Sequence, residues 1–219
     1  MNTLRKATGV TGILGVLCFL GPGIAINNSA PEPDGTGQEV VYWITSRDTP
    51  LWYTVAAAWS IGMVIFIVHA SCWGSLIAAH EDAPAWRGRL VGILGAWGLG
   101  IPLAVPFLAA AYRSADIDPQ VARLAFDLGN VAFSNAWICL GGFGIALAYG
   151  GVATRLLPRW SGLILGLAGL GLVASRFAWP AQIGFAPYMI LWAWVLVTSI
   201  GLLRAERPGS IVAEHDALA

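Results

Sequence analysis

The stretch VARLAFDLGNVAFSNAWICLGGFGIALAYGG, from Val121 to Gly151, decides how the rest of the chain is read. Arg123 and Asp127 stand near its start, and no further charge follows. A run of about 20 mainly apolar residues crosses roughly 30 Å of hydrocarbon as a helix, because a helix satisfies its own backbone where lipid offers no partner. Runs of the same kind flank it on both sides: Gly9–Ile26, Leu51–Ala79, Leu90–Tyr112, Trp160–Trp179 and Gly184–Leu203. The chain therefore reads as all-α, a polytopic membrane helix bundle of six transmembrane helices in a single membrane domain over residues 1–219.

Composition points the same way. Hydrophobic residues make up 57% of the 219 residues and charged ones 11%, against roughly 25% charged in an ordinary soluble domain. Twelve basic residues balance twelve acidic ones, so no basic excess exists to hold a nucleic acid. The cysteines Cys18, Cys72 and Cys139 all fall inside apolar runs, which is neither a disulfide framework nor a zinc spacing.

The first run contains Gly21, Pro22 and Gly23, and Arg5 and Lys6 precede it in the manner of a secretory signal. Asn28-Ser29-Ala30 is a poor cleavage site, so an uncleaved first helix is expected. Lys and Arg beside short loops stay on the cytoplasmic side. An inside N-terminus puts Arg5, Lys6, Arg87, Arg89, Arg155, Arg159, Arg204 and Arg207 in the cytoplasm. The other side receives Arg47, Arg113, Arg123 and Arg176 with Glu32, Asp34, Glu39, Asp48, Asp116 and Asp118. Both termini, including the polar tail 204–219, are expected to be cytoplasmic, in a multi-pass protein of the cell membrane. Trp43, Trp52, Trp86, Trp160 and Trp179 stand near the expected helix ends, at headgroup level.

The outer loop 27–50 is the one long connection. Its Pro31–Gly37 part should be irregular, and Val40-Val-Tyr-Trp-Ile44 should cover apolar surface, either as a segment resting on headgroups or as a lid. Because lipid is as apolar as leucine, the helices must associate through close backbone approach at small residues. The third span offers Gly88, Gly92, Ala96, Gly100 and Ala104, and the fifth Gly162 and Gly166 with Gly169 nearby. These ridges bind neighbouring spans or, in a complex, partner helices. Pro102 and Pro106 favour a kink in the third span.

Charge inside such a bundle is expensive, about 2.5–3.5 kcal/mol at a helix centre, and so normally faces the interior or a wet cavity. At about 100° per residue, Arg123, Asp127, Asn130 and Ser134 fall within roughly a 60° arc. Ser134 lies about 16 Å along the axis from Arg123, near mid-membrane. Arg176 reaches a comparable depth on the fifth span and is a candidate partner for Asp127. Arg123, one turn from the carboxylate, is the competing one. Two readings follow: a neutralised buried charge with no ligand, or an outward-facing pocket in which Arg123, Asp127, Asn130, Ser134 and Arg176 receive a polar or anionic head while apolar walls take a tail.

His69 and Cys72 lie one turn apart on the second span and are candidate metal ligands, with Cys18 and Cys139 as completing groups. A hydrogen-bonded structural histidine is the plainer reading. No other span supplies a histidine for a haem. No phosphate loop, Gly-x-Ser-x-Gly elbow, His-Glu-x-x-His helix or paired acidic cluster is present, and no cofactor is expected. Trp179, Tyr188, Trp192 and Trp194 crowd the last outer turn and sixth span as anchors and packing groups, or as a pocket wall.

Arg155-Leu-Leu-Pro158-Arg159-Trp160-Ser-Gly162, followed by a glycine-rich helix, resembles a recurrent feature of bacterial six-helix integral membrane proteins of unknown function. The likeness covers the fourth to sixth spans and implies topology, with no activity to carry across. The expected function is an outward-facing polar pocket that binds or permeates a small amphipathic or anionic molecule among membrane lipids. An accessory subunit of a membrane complex is the alternative. A membrane-embedded enzyme on a lipid or isoprenoid, with Asp127 as acid or base, is the third reading.

Overall fold

The computed structural model describes residues 2–28, 30–32, 34–104, 116–177 and 185–204. Seven helices account for the regular structure among them: α1 (Asn2–Asn27), α2 (Gly37–Thr45), α3 (Pro50–Ala78), α4 (Trp86–Ala104), α5 (Pro119–Ala153), α6 (Arg159–Phe177) and α7 (Phe185–Arg204). Five of them, α1, α3, α5, α6 and α7, are long and apolar enough to cross a membrane, as a multi-pass membrane protein requires. In α4, Arg87 and Arg89 dilute the apolar run of the described part. The expected third span continues to Tyr112, and Pro106 and the other residues past Ala104 lie outside the described residues.

Local chemistry sets where the helices begin. Thr49 caps α3 by accepting from the Trp52 amide, and Pro50 takes the first turn, where its missing N–H is no loss. Asp118 caps α5 by accepting from Gln120 N (2.8 Å) and Val121 N (3.2 Å), again with a proline, Pro119, next. The sequence boundaries at Leu51 and Val121 are each a residue or two late, since they follow hydropathy and not caps. At the other extreme, α1 runs unbroken through Pro22.

The long helices form a ring in chain order: α1 packs on α3, α3 on α4, α4 on α5, α5 on α6, α6 on α7, and α7 returns to α1. Neighbours run antiparallel. Along the α1–α3 seam Gly12 meets His69 and Gly62 meets Cys18 and Phe19; along α5–α6 Gly141 meets Gly169; along α7–α1 Gly9 meets Leu203. Alternation places Arg5, Lys6, Arg87, Arg89, Arg155, Arg159 and Arg204 at one end of the ring, the basic end. Glu32, Asp34, Glu39, Asp48, Asp116 and Asp118 gather at the other, with Arg47, Arg123 and Arg176.

Close approach occurs at fewer of the expected glycines than the spacing suggested. A β-carbon at Gly88 would lie 2.3 Å from the Gly74 carbonyl oxygen, and one at Gly162 2.4 Å from Val152. Gly166 makes ordinary contact at 3.7 Å, while Gly92 and Gly100 face open space. The packed seam of α4 keeps Gly88 and adds Gly95 and Gly98, against Ala70 and Leu140. A spacing of four drifts around a helix of 3.6 residues per turn, so only part of such a stripe can meet one straight neighbour.

Aromatic rings fill the ring's axis. Trp194 lies 6.0 Å from Trp73 between centroids, Phe66 4.8 Å from Trp192 and 5.4 Å from Phe143, and Phe19 4.9 Å from Trp192. Phe19, Phe66, Trp73, Phe143 and Trp192 are all essentially inaccessible. The pairs of Phe66 with Trp192 and with Phe143 are edge-to-face, an arrangement that contributes about 0.5–1.5 kcal/mol beyond burial.

Candidate functional site

At the acidic end, Arg123 is a staple. Its Nε donates to Asp127 Oδ2 at 3.1 Å and its Nη2 lies 2.8 Å from Oδ1, a bidentate pair one helical turn apart. Its Nη1 donates to the Gly35 carbonyl at 2.6 Å and the Glu32 carbonyl at 3.3 Å, so the guanidinium fastens the connection 30–36 to α5. Of the two partners considered for Asp127, the structure places Arg123 on it. Arg176 instead donates from Nε to Asn135 Oδ1 at 2.9 Å. Asn135 lies outside the polar arc, which is why a single-stripe reading passed over it. The visible signal was an amide adjoining Ser134 in an apolar helix.

The polar stripe thus serves separate purposes. Asp127 keeps 48% of its side chain exposed and Arg123 20%. Asn130 lines an aromatic chamber with the exposed Ile24 and Phe185 at its rim, whereas Ser134 is buried and donates to the Val131 carbonyl of its own helix.

Past Gly35 the chain folds back on the bundle. Thr36 and Glu39 form a capping box: the Glu39 amide donates to Thr36 Oγ1 at 3.3 Å, and the Thr36 amide donates to Glu39 Oε2 at 3.0 Å. Helix α2 then lays Val40, Trp43 and Ile44 inward, with Trp43 edge-on to Phe126 of α5 at 5.6 Å. A side chain at position 37 would collide with the Pro119 carbonyl oxygen, 2.2 Å away, so glycine is required there. Trp43 is accordingly buried, and the Val40–Ile44 segment covers α5.

Arg47 closes this corner, between Trp43 (4.6 Å to the ring centroid) and Trp52 (4.9 Å). It donates to the Trp43 carbonyl at 3.1 Å, to Ser46 Oγ at 3.3 Å, and to the Asn28 carbonyl. Burial lowers its pKa by disfavouring the charged form, yet a guanidinium stays protonated at neutral pH. Trp43 and Trp52 stand only four and five residues from Arg47, but their meeting on its guanidinium depends on the turn between α2 and α3, which hydropathy does not show.

Two cavities adjoin here. The inner chamber, about 450 Å³, is walled by Phe19, Trp59, Phe133, Trp137, Phe185 and Tyr188, with the amides of Asn28 and Asn130. Its walls come from α1, α3 and α7 on one side of the ring and α5 on the other, so it lies inside the ring, in the acidic half. The buried Phe66, Phe143 and Trp192 fill the axis on the basic side. The outer groove, about 940 Å³, is lined by Glu32, Gln38, Glu39, Tyr42, Arg47 and Trp52 among others. Asn28 borders both cavities.

The metal candidates do not assemble. His69 Nδ1 donates to the Thr8 carbonyl at 2.9 Å, and Cys72 reaches the Thr8 hydroxyl. Among the described residues no group of three His, Cys, Asp or Glu could hold a metal ion. Cys18, Cys72 and Cys139 are free thiols.

Neither a family model, nor a characterised protein, nor a solved structure matches this chain. Function must therefore be argued from the site itself.

Proposed function

We propose that the chain is a six-span protein of the cell membrane with both termini cytoplasmic, and that its acidic end opens outward as a binding site for a small amphipathic molecule. The observation that carries this reading is the junction at Asn28, where an aromatic chamber meets a polar groove. An apolar body suits the chamber, and the carboxamides of Asn28 and Asn130 suit a hydrogen-bonding head. The antiparallel ring, in which α4 occupies one of six equivalent places, supports the span count, and the concentration of Arg and Lys at one end supports the orientation.

The amphipathic ligand is preferred over a simple anion, because Arg123, Arg47 and Arg176 are already engaged by a carboxylate, carbonyls and an amide. Binding is preferred over permeation, since aromatic rings fill the axis beyond the chamber. Catalysis by Asp127 gains no support, since its carboxylate is held by Arg123. A second reading, an accessory subunit that receives partner helices, is favoured only along the open Gly92–Gly100 edge of α4.

The test uses the protein in lipid nanodiscs and a brominated decanol, which quenches tryptophan fluorescence at short range. Saturable quenching that is lost in Asn130→Trp, a substitution that fills the chamber, is expected, with decanoate no better a competitor than decanol. Quenching that rises without saturation and is unchanged in the variant would show simple partitioning into lipid and overturn the proposal.

A further inference from the structure

In the basic half of the ring, α1, α3 and α7 meet over Gly12. His69 and Ser199 are both fully buried there. Gly12 allows their approach: a β-carbon at that position would lie 1.9 Å from Ser199 Oγ, 2.7 Å from His69 Cε1 and 2.9 Å from His69 Nδ1. The Thr8 carbonyl fixes the imidazole tautomer. A carbonyl only accepts, so Nδ1 carries the hydrogen and Nε2 is left with its lone pair.

Among the described residues that lone pair has no partner, and neither has Ser199 Oγ. The serine stands apart from its neighbours in sequence and type. Thr8, Thr11, Ser60, Ser71, Ser175 and Thr198 each donate back to the carbonyl four residues earlier, the usual outlet for a helical hydroxyl. Ser199 forgoes this bond and turns its oxygen to Gly12 and the imidazole. Trp73 Nε1, one turn beyond His69 with rings 6.5 Å apart, is a further buried donor without a partner. Each such group left unmade costs about 1–3 kcal/mol, and at this depth no bulk water reaches it.

We infer that the α1–α3–α7 junction is a binding site for a single water molecule, which donates one hydrogen to His69 Nε2 and accepts the hydroxyl hydrogen of Ser199. Ser199 Oγ lies 1.9 Å, and His69 Cε1, the ring carbon bonded to Nε2, 2.7 Å from the same β-carbon position at Gly12, so the two buried atoms share one corner within reach of a water that bonds to both. No metal competes for the lone pair, since no triad of ligating side chains includes His69 among the described residues. The water links the three helices that close the ring. It accounts for the bare Nε2 of His69 and the unbonded hydroxyl of Ser199 by one cause.

The experiment is NMR of the full chain, labelled with ¹³C and ¹⁵N histidine, in nanodiscs, with His69 assigned by the spectrum of His69→Phe. A water-selective cross-relaxation peak at His69 Hε1 is expected, arising from a long-lived water. The peak should be lost in Ser199→Ala, which removes the donor, and in Gly12→Ala, whose methyl would stand 1.9 Å from Ser199 Oγ and force the hydroxyl and the imidazole apart. Its absence in the wild-type protein overturns the inference, as does its persistence unchanged in both variants. If neither variant folds, the wild-type spectrum decides alone.

Discussion

Replacing Arg123 by alanine should release the outer segment, whereas replacing Asp127 by asparagine should not. The ion pair itself is half open to the surroundings, with 48% of the Asp127 side chain exposed, so it contributes about 0.2–1 kcal/mol at most. The bonds from Nη1 to the Gly35 carbonyl at 2.6 Å and the Glu32 carbonyl at 3.3 Å are charge-assisted, about 1.5–3 kcal/mol for a good one. Losing both removes about 2–4 kcal/mol from the docking of Glu32 and Gly35 and of α2 behind them. At 1.4 kcal/mol per decade this is a rise of about thirty-fold to several-hundred-fold in the open population. Asp127→Asn keeps both carbonyl bonds and should raise opening by less than about five-fold. Hydrogen–deuterium exchange at the amides of residues 35–46, followed in nanodiscs, measures the ratio directly. Equal acceleration in the two variants, or none in Arg123→Ala, would refute the view that the arginine acts chiefly on the connecting segment.

Further outcomes follow from the seams. Gly88→Leu should abolish the folded monomer in detergent, because its β-carbon would lie 2.3 Å from a carbonyl oxygen. Gly92→Ala and Gly100→Ala, which meet nothing within 4 Å, should leave the thermal midpoint unchanged; size-exclusion chromatography and differential scanning fluorimetry check both. Arg176→Leu and Asn135→Leu should be non-additive in a double-mutant cycle, with a coupling of about 1.5–3 kcal/mol for a charged donor. Additive losses would mean that the 2.9 Å bond carries no energy.

The helical class was legible because hydrophobic length is a one-dimensional property. Runs such as Val121–Gly151 must be helices in lipid whatever their neighbours. The Arg123–Asp127 pair was also within reach, being a contact between residues four apart. Arg176 was not, since its partner depended on which face of α5 the sixth helix meets, and that proved to carry Asn135. The outer segment showed its turn-prone start and its apolar Val40–Ile44 stretch. Its docking on Phe126 and Pro119 involves residues about eighty positions away, beyond the reach of any local pattern.

What the chain determined alone is therefore local and periodic: which segments are apolar enough to span, where basic residues collect, and which polar groups share one helical arc. The order of helices around the ring, the chamber between α1 and α5, and the meeting of Gly12, His69 and Ser199 were decided by tertiary packing. Periodicity fixes a side chain's angle about its own helix axis. Only the fit of one helix surface into another fixes what stands opposite it.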